Sequence, residues 1–299
     1  MAGTFQNDYA VIDGIRVFWT TPPSTLVDMK TFEVREDDVF IVTFPKSGTH
    51  WLMEIVYLLL ANGELSKIKR NMMEQGLEHT QCAGPSEVQT AKPGHKYMEE
   101  WESPRVMNSH LMLRFLPPQI WEKKAKVLYV ARNPKDVVCS MYHFMYAILP
   151  EEQRDWSNFV KFFTAKEMIG GDWFTHVYEY WTQCKGRENF LFIKYEDLKK
   201  NHRGMVKQVA EFLGKNLSEE VIDKITSLTT IDAMRKTYDE LEAEPGSNMR
   251  RTKAFGVLSF LNKGNVGSWK EQMSEEQSKL FDEKLAETFK DTDFTLECE

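Results

Sequence analysis

The chain has 299 residues, 42% hydrophobic and 28% charged, a composition that suits a globular fold with a sizeable core. Its 45 acidic residues outnumber 38 basic ones, for a net charge of −7. That balance argues against a nucleic-acid binder or a protein held on an anionic membrane, so any anion site has to be a local basic pocket.

The opening residues, Met1 to Asp8, lack the basic start and apolar stretch of a signal peptide. Cys82, Cys139, Cys184 and Cys298 are widely spaced, with no CxxC pair and no histidines at zinc-site intervals. Reduced thiols and a cytoplasmic location fit that usage, and no metal is expected. No repeat, low-complexity tract or Gly/Ser linker divides the chain, so residues 1–299 are expected to form one domain.

The first strong element is a strand over 38–43, Asp-Val-Phe-Ile-Val-Thr, nearly continuous in apolar character as a strand buried on both faces should be. Pro45 to Thr49 make a glycine-containing turn, and a helix follows from near Trp51. Its apolar run to Ala61 is interrupted by Glu54 and falls short of the ~20 residues that span a membrane, so it reads as a buried helix, with Leu52, Ile55, Val56, Leu59 and Leu60 at helical spacing.

Residues 62–100 have no clear period and suggest a lid or binding loop. A second strand, 126–131, runs into a helix opened by Pro134, a favoured first-turn position. A third strand covers 189–195. Helical spacing returns at Val206, Val209, Phe212 and Leu213, an irregular stretch covers 238–268, and Leu280, Phe281 and Leu285 mark a last helix. Strands alternating with helices predict an α/β fold with a central, mostly parallel sheet, whose ligands bind beyond the carboxyl ends of the strands.

Two strand ends carry the chemistry. At the first, Lys46, Ser47, Gly48 and Thr49 precede a helix N-terminus, where backbone N–H groups and the helix dipole favour an anion and Lys46 adds a full charge. The spacing is not that of a Walker A loop. At the second, Arg132 can take two phosphate oxygens with its planar fork, and Ser140 can add a hydroxyl about two turns beyond Pro134. Two such sites in one sheet suggest a ligand with two separate anionic groups.

These residues resemble the cytosolic sulfotransferases, which use 3′-phosphoadenosine 5′-phosphosulfate (PAPS) and leave PAP. The likeness runs from about residue 10 to the C-terminus. It rests on Thr43 to Trp51, Ser103 to Leu111, Tyr129 to Asp136 with Ser140, Tyr195-Glu196-Asp197, and Lys263 to Lys270, in that order. The resemblance implies a P-loop-like phosphosulfate site, with His110 as general base and Lys46 stabilising charge on the leaving oxygen. Backbone N–H groups of Ser47 to His50 and the Thr49 hydroxyl would hold the 5′-phosphate. Arg132, Ser140, Asn262, Lys263 and Gly264 would hold the 3′-phosphate. Trp51, Tyr195, Thr229, Thr230, Ile231 and Met234 would form the adenine site.

The acceptor implied is a small, lipophilic alcohol or amine, with 77–85 and Tyr142, Phe144, Tyr146 and Leu149 as wall residues. A non-catalytic binding protein of the same fold is the alternative reading.

The chain also departs from the family pattern. His50 replaces a usual threonine, which opens a pH dependence of donor binding. Asn108, the residue expected next to the substrate, replaces a lysine two positions before the base. Ile231 replaces an aromatic, and Asn262 an arginine whose loss costs about 1.5–3 kcal/mol of donor binding. In the family's short dimer motif the matching positions read Lys270, Ser274, Glu275 and Lys279, so the usual self-complementary contact is expected to be lost and the chain to be a monomer by that route.

Overall fold

Four parallel strands make the floor of the site: β3 (Val39–Thr43), β4 (Val106–Ser109), β5 (Lys126–Ala131) and β6 (Phe190–Lys194), in the spatial order β4-β3-β5-β6. A separate hairpin, β1 (Tyr9–Ile12) with β2 (Ile15–Phe18), pairs antiparallel near the N-terminus. This computed structural model describes residues 9–12, 14–18, 20–68, 76–79, 92–146, 154–165, 170–243 and 264–296. The expected roles of Asn262, Lys263 and Leu149, and most of the two irregular stretches, lie outside those residues.

Every residue of β3 and β4 and all but Lys126 of β5 is buried, as their apolar runs require. The helices, in chain order, are α1 (Pro23–Asp28), α2 (Thr49–Leu60), α3 (Gly94–Met98), α4 (Gln119–Glu122), α5 (Pro134–Tyr146) and α6 (Trp156–Thr164). They continue with α7 (Trp173–Cys184), α8 (Tyr195–Lys200), α9 (His202–Phe212), α10 (Glu219–Leu228), α11 (Ile231–Ala243) and α12 (Glu275–Phe289).

Each boundary that differs from the sequence reading has a local cause. The first strand starts at Val39 because buried Asp38 turns aside to accept two hydrogen bonds from Arg105, at 2.8 and 2.5 Å. Asn189 leaves the third strand in the same way, donating to the Ala125 carbonyl at 2.8 Å, and Tyr195 already opens α8. Residues 238–243, read as irregular, complete α11. β4 (Val-Met-Asn-Ser) has no apolar pattern of its own; its pairing with β3 defines it.

The topology fixes where a ligand can sit. The chain leaves β3 toward β4 on one side and leaves β5 toward β6 on the other. Right-handed crossovers then place α2 and α5 on opposite faces, and a crevice opens between the carboxyl ends of β3 and β5. Thr43 pairs with Val130, so the turn after β3 and Arg132 after β5 stand on either side of that crevice.

Candidate active site

The turn after β3 needs unusual backbone. Lys46 has φ of 70° and Gly48 of 109°, and Gly48 is the N-cap of α2, so the helix begins at Thr49, two residues before Trp51. A methyl on Gly48 would lie 2.8 Å from the Tyr195 ring, so glycine is needed for space as well as for conformation. Of the four N–H groups expected to face an anion, that of Ser47 instead donates to the Phe44 carbonyl at 3.2 Å, closing the turn. The Ser47 hydroxyl is buried and has no protein partner.

Lys46 lies 4.3 Å from the centre of the Phe144 ring. Burial, then the Arg132 charge, lowers its pKa to about 8, so it keeps most of its proton at neutral pH. His50 is pushed down to about 3 by burial, then by Lys46 and His110, and is therefore neutral throughout the physiological range. The pH dependence expected of His50 thus passes to Lys46.

Arg132 ties three segments together. Its guanidinium stacks 4.5 Å over Tyr195, Nη2 donates to the Asn265 carbonyl at 2.9 Å, and Nη1 reaches the Lys46 carbonyl at 3.4 Å. Its Nε is buried without a protein partner. Asp136, one turn further on, accepts from the backbone N–H groups of Gly267 (2.8 Å) and Trp269 (3.2 Å), and the Tyr195 hydroxyl donates to the Gly264 carbonyl at 3.2 Å. Ser140 is buried on the same helix. Buried donors left unmade are rare and costly, and here Ser47 Oγ and Arg132 Nε stand on the segments that follow the adjacent strands β3 and β5.

The aromatic wall forms around Trp51. Its indole N–H donates to the Thr229 carbonyl at 2.8 Å, and its ring meets Tyr195 edge-on at 5.4 Å and packs with Ile231 and Met234. Ile231 Cδ1 is 3.8 Å from a methyl placed on Gly264, so these residues converge. Thr230 stands apart, exposed before α11, its hydroxyl accepting from Ala233 N–H at 3.3 Å. His202, not singled out from sequence, completes the wall: it packs 5.1 Å from Trp51 and bonds Thr229 Oγ1 at 2.9 Å.

His110 follows β4 directly. Its Nδ1 is 2.9 Å from the Thr43 carbonyl, which can only accept, so Nδ1 carries the proton and the lone pair of the neutral ring is on Nε2. Thr43 Oγ1 lies 3.2 Å from the same Nδ1 and 2.7 Å from Thr49 Oγ1, which links the base strand to the start of α2. Sequence reasoning missed the groups behind His110. Glu78 Oε1 accepts its backbone N–H at 2.8 Å, and His176 Nε2 lies 3.3 Å from its carbonyl oxygen. Neither has a motif; both come from distant chain.

Asn108 is buried in the sheet edge, its amide donating to Met53 Sδ at 3.4 Å and its carbonyl accepting from Leu77 N–H at 2.8 Å. Of the aromatic wall residues expected in α5, Phe144 reaches the site under Lys46. Tyr142 instead packs α5 on α6, bonding the Arg154 carbonyl at 2.6 Å and meeting Trp156 and Phe159 edge-on. Cys139 and Cys184 are free and buried, their thiols pushed up by burial to about 12 and about 11. Among the described residues no helix is long and apolar enough to cross a membrane.

A family model described as the sulfotransferase domain matches residues 36–293. Sulfotransferase 1C2 of Oryctolagus cuniculus is 36% identical over 258 residues, spanning 85% of this chain and 84% of that protein. Sulfotransferase 1B1 of Canis lupus familiaris is 36% identical over 282 residues, or 93% of this chain and 91% of its own length. The crystal structure of mouse sulfotransferase SULT7A1 complexed with PAP has a TM-score of 0.74 at 27% identity, covering 95% of this chain and 96% of that one. Retinol dehydratase in a complex with retinol and PAP shares the fold, with a TM-score of 0.78 at 24% identity over 95% of this chain and 90% of its own. The chain belongs to the sulfotransferase family.

Proposed function

We propose that the protein transfers a sulfuryl group from PAPS to a hydroxyl or amine of a small, lipophilic acceptor, with the whole chain acting as one cytoplasmic domain. One observation carries this reading. Two buried donors without protein partners, Ser47 Oγ and Arg132 Nε, belong to the segments that follow the carboxyl ends of β3 and β5, where a ligand with an anionic group at each end would satisfy both. The PAP bound by mouse SULT7A1, a relative of 27% identity, supports the same class of ligand.

When bound, PAPS supplies a sulfuryl group already activated by its link to the 5′-phosphate. The turn from Lys46 to His50 and the Thr49 hydroxyl hold that phosphate. Arg132 and Ser140, with Asn262, Lys263 and Gly264, hold the 3′-phosphate. Trp51 and Tyr195, with Thr229, Ile231 and Met234, enclose the base, and Thr230, which stands apart from them, adds no side-chain contact to it. Lys46, mostly protonated at pH 7, stabilises the negative charge that gathers at the 5′ end. His110 takes the acceptor's proton on Nε2 as the acceptor atom becomes the nucleophile, and its Nδ1–H stays fixed on Thr43. Asn108, two residues before His110, brings no charge to the acceptor side, and the chain acts as a monomer.

A labelled-donor screen against phenols, steroid alcohols and amines tests the reading. Wild type sulfates at least one class and His110→Ala loses at least about a hundredfold in kcat, the range for a general base. Residual turnover equal to wild type would remove His110 from this role. Failure of PAP to bind in calorimetry would remove the donor.

A further inference from the structure

We infer that Glu78 and the Tyr129–His176 pair are positioning residues for the base: they hold the main chain of His110 from its two sides and so set where Nε2 stands. The inference rests on the reading of His110 as the base.

His110 has three polar handles, and each is held by a different part of the chain. The ring Nδ1–H is held by the Thr43 carbonyl at 2.9 Å. The backbone N–H is held by Glu78 Oε1 at 2.8 Å, and the backbone carbonyl lies 3.3 Å from His176 Nε2. His110 itself stands just past the end of β4, where the ladder no longer fixes the backbone.

Glu78 is placed to do this by the chain around it. Gly76 bridges to Asn108, and Leu77 N–H donates to the Asn108 carbonyl at 2.8 Å, so residues 76–78 extend the sheet edge by one short turn of pairing. The carboxylate is buried, with 2% of the residue exposed, and its Oε1, 3.7 Å from His79 Nε2 as well, faces inward toward the His110 main chain, a costly location for an acid unless such partners hold it.

The opposite side is a relay with a defined proton order. His176 is wholly buried and its pKa is lowered to about 3, chiefly by burial, so it is neutral. A carbonyl can only accept, so Nε2 carries the proton toward His110, and Nδ1 must accept. The partner of Nδ1 is the Tyr129 hydroxyl at 2.7 Å, which therefore donates. Tyr129 lies in the middle of β5, stacked on Tyr180 at 4.4 Å, and Tyr180 in turn donates to the carbonyl of Leu111 at 2.9 Å. The central strand thus fixes the tautomer of the histidine that fixes the base.

The test compares Glu78→Gln, which keeps an oxygen for the His110 N–H, with Glu78→Leu, which does not, each in the wild-type and the His110→Ala background. Misplacing a reacting group by about an ångström costs on the order of a hundredfold. Glu78→Leu is expected to lower kcat by about ten- to a hundredfold with KM for PAPS and PAP affinity unchanged, Glu78→Gln to stay within about threefold of wild type, and Glu78→Leu to add nothing to His110→Ala. A wild-type kcat in Glu78→Leu, or the same fractional loss with and without His110, would overturn the inference. Should Glu78→Leu not fold, Tyr129→Phe, which removes only the hydroxyl, is expected to lower kcat several-fold at unchanged PAP affinity, and a wild-type kcat there would overturn the His176 half. If His110→Ala alone keeps full turnover, it is the base assignment that has failed, a result distinct from either.

Discussion

Replacing Gly48 by alanine perturbs the phosphate turn at the point where backbone and packing constrain it together. Two costs follow from the geometry. A non-glycine residue at a φ of 109° is strained by about 1–3 kcal/mol. The new methyl also meets Tyr195 Cδ2 at 2.8 Å and Cε2 at 3.1 Å, and forcing a methyl against a buried ring adds about 1–3 kcal/mol. The sum, about 2–6 kcal/mol, corresponds to a fall in Tm of roughly 4–12 °C at about 2 °C per kcal/mol for a chain of this size. Relief requires Tyr195 to move, and Tyr195 carries the Arg132 guanidinium and the Gly264 carbonyl, so PAP affinity should fall about ten- to a hundredfold. Gly214, with φ of 69° and open space around its Cβ position, supplies the control: Gly214→Ala measures the cost of an ordinary left-handed backbone without the clash, a lower bound on the backbone cost at Gly48. Differential scanning calorimetry and isothermal titration with PAP read both quantities. A Gly48→Ala variant that melts no lower than Gly214→Ala and binds PAP like wild type would refute the reasoning.

Three further outcomes are expected. PAP affinity should fall as pH rises through about 8, because Lys46 then loses its proton, and titration across pH 7–9 should find Lys46→Met weaker but flat. Glu196, buried and accepting from Asn133 N–H at 2.8 Å, has its pKa raised by burial to about 7; the folded state therefore holds a proton that the unfolded chain releases near 4.5, and stability falls as pH rises from 4.5 to 7. Glu196→Gln removes that loss, so its stability advantage in denaturant unfolding should widen across the same window toward about 3 kcal/mol, and a gap that stays constant with pH would contradict the assignment. His50→Thr should leave PAP affinity unchanged or improved, since the ring it replaces is neutral; calorimetry showing complete loss would make the histidine a required contact.

Much of the sheet was legible because β3, β5 and the third strand are apolar on both faces, and a strand of that kind needs no partner to be recognised. Lys46, Gly48 and Arg132 were legible for a related reason: each sits at a strand end, where sequence order and spatial position still agree. β4 was not legible from its pattern, because Val106, Met107, Asn108 and Ser109 are held by pairing with β3, a contact across more than sixty residues. Glu78 and His176 escaped notice on the same ground. Each bonds a main-chain atom, and such bonds leave no pairing of residue types to read. Asp136 could have been found, since it stands four residues after Arg132 at the start of a helix, the spacing of an ion pair, yet its carboxylate chiefly serves the backbone at Gly267 and Trp269.

The segment from Gly264 to Trp269 is gripped by four main-chain atoms: two carbonyls held by Tyr195 and Arg132 and two N–H groups held by Asp136. A latch that reads backbone is indifferent to the side chains it fastens. Asn265 is therefore freer to drift over evolutionary time than Arg132, Asp136 and Tyr195, while Val266 and Trp269 are also held by packing on the core and Gly267 by its φ of 80°, and a proline at Trp269, which lacks the N–H, would open the latch.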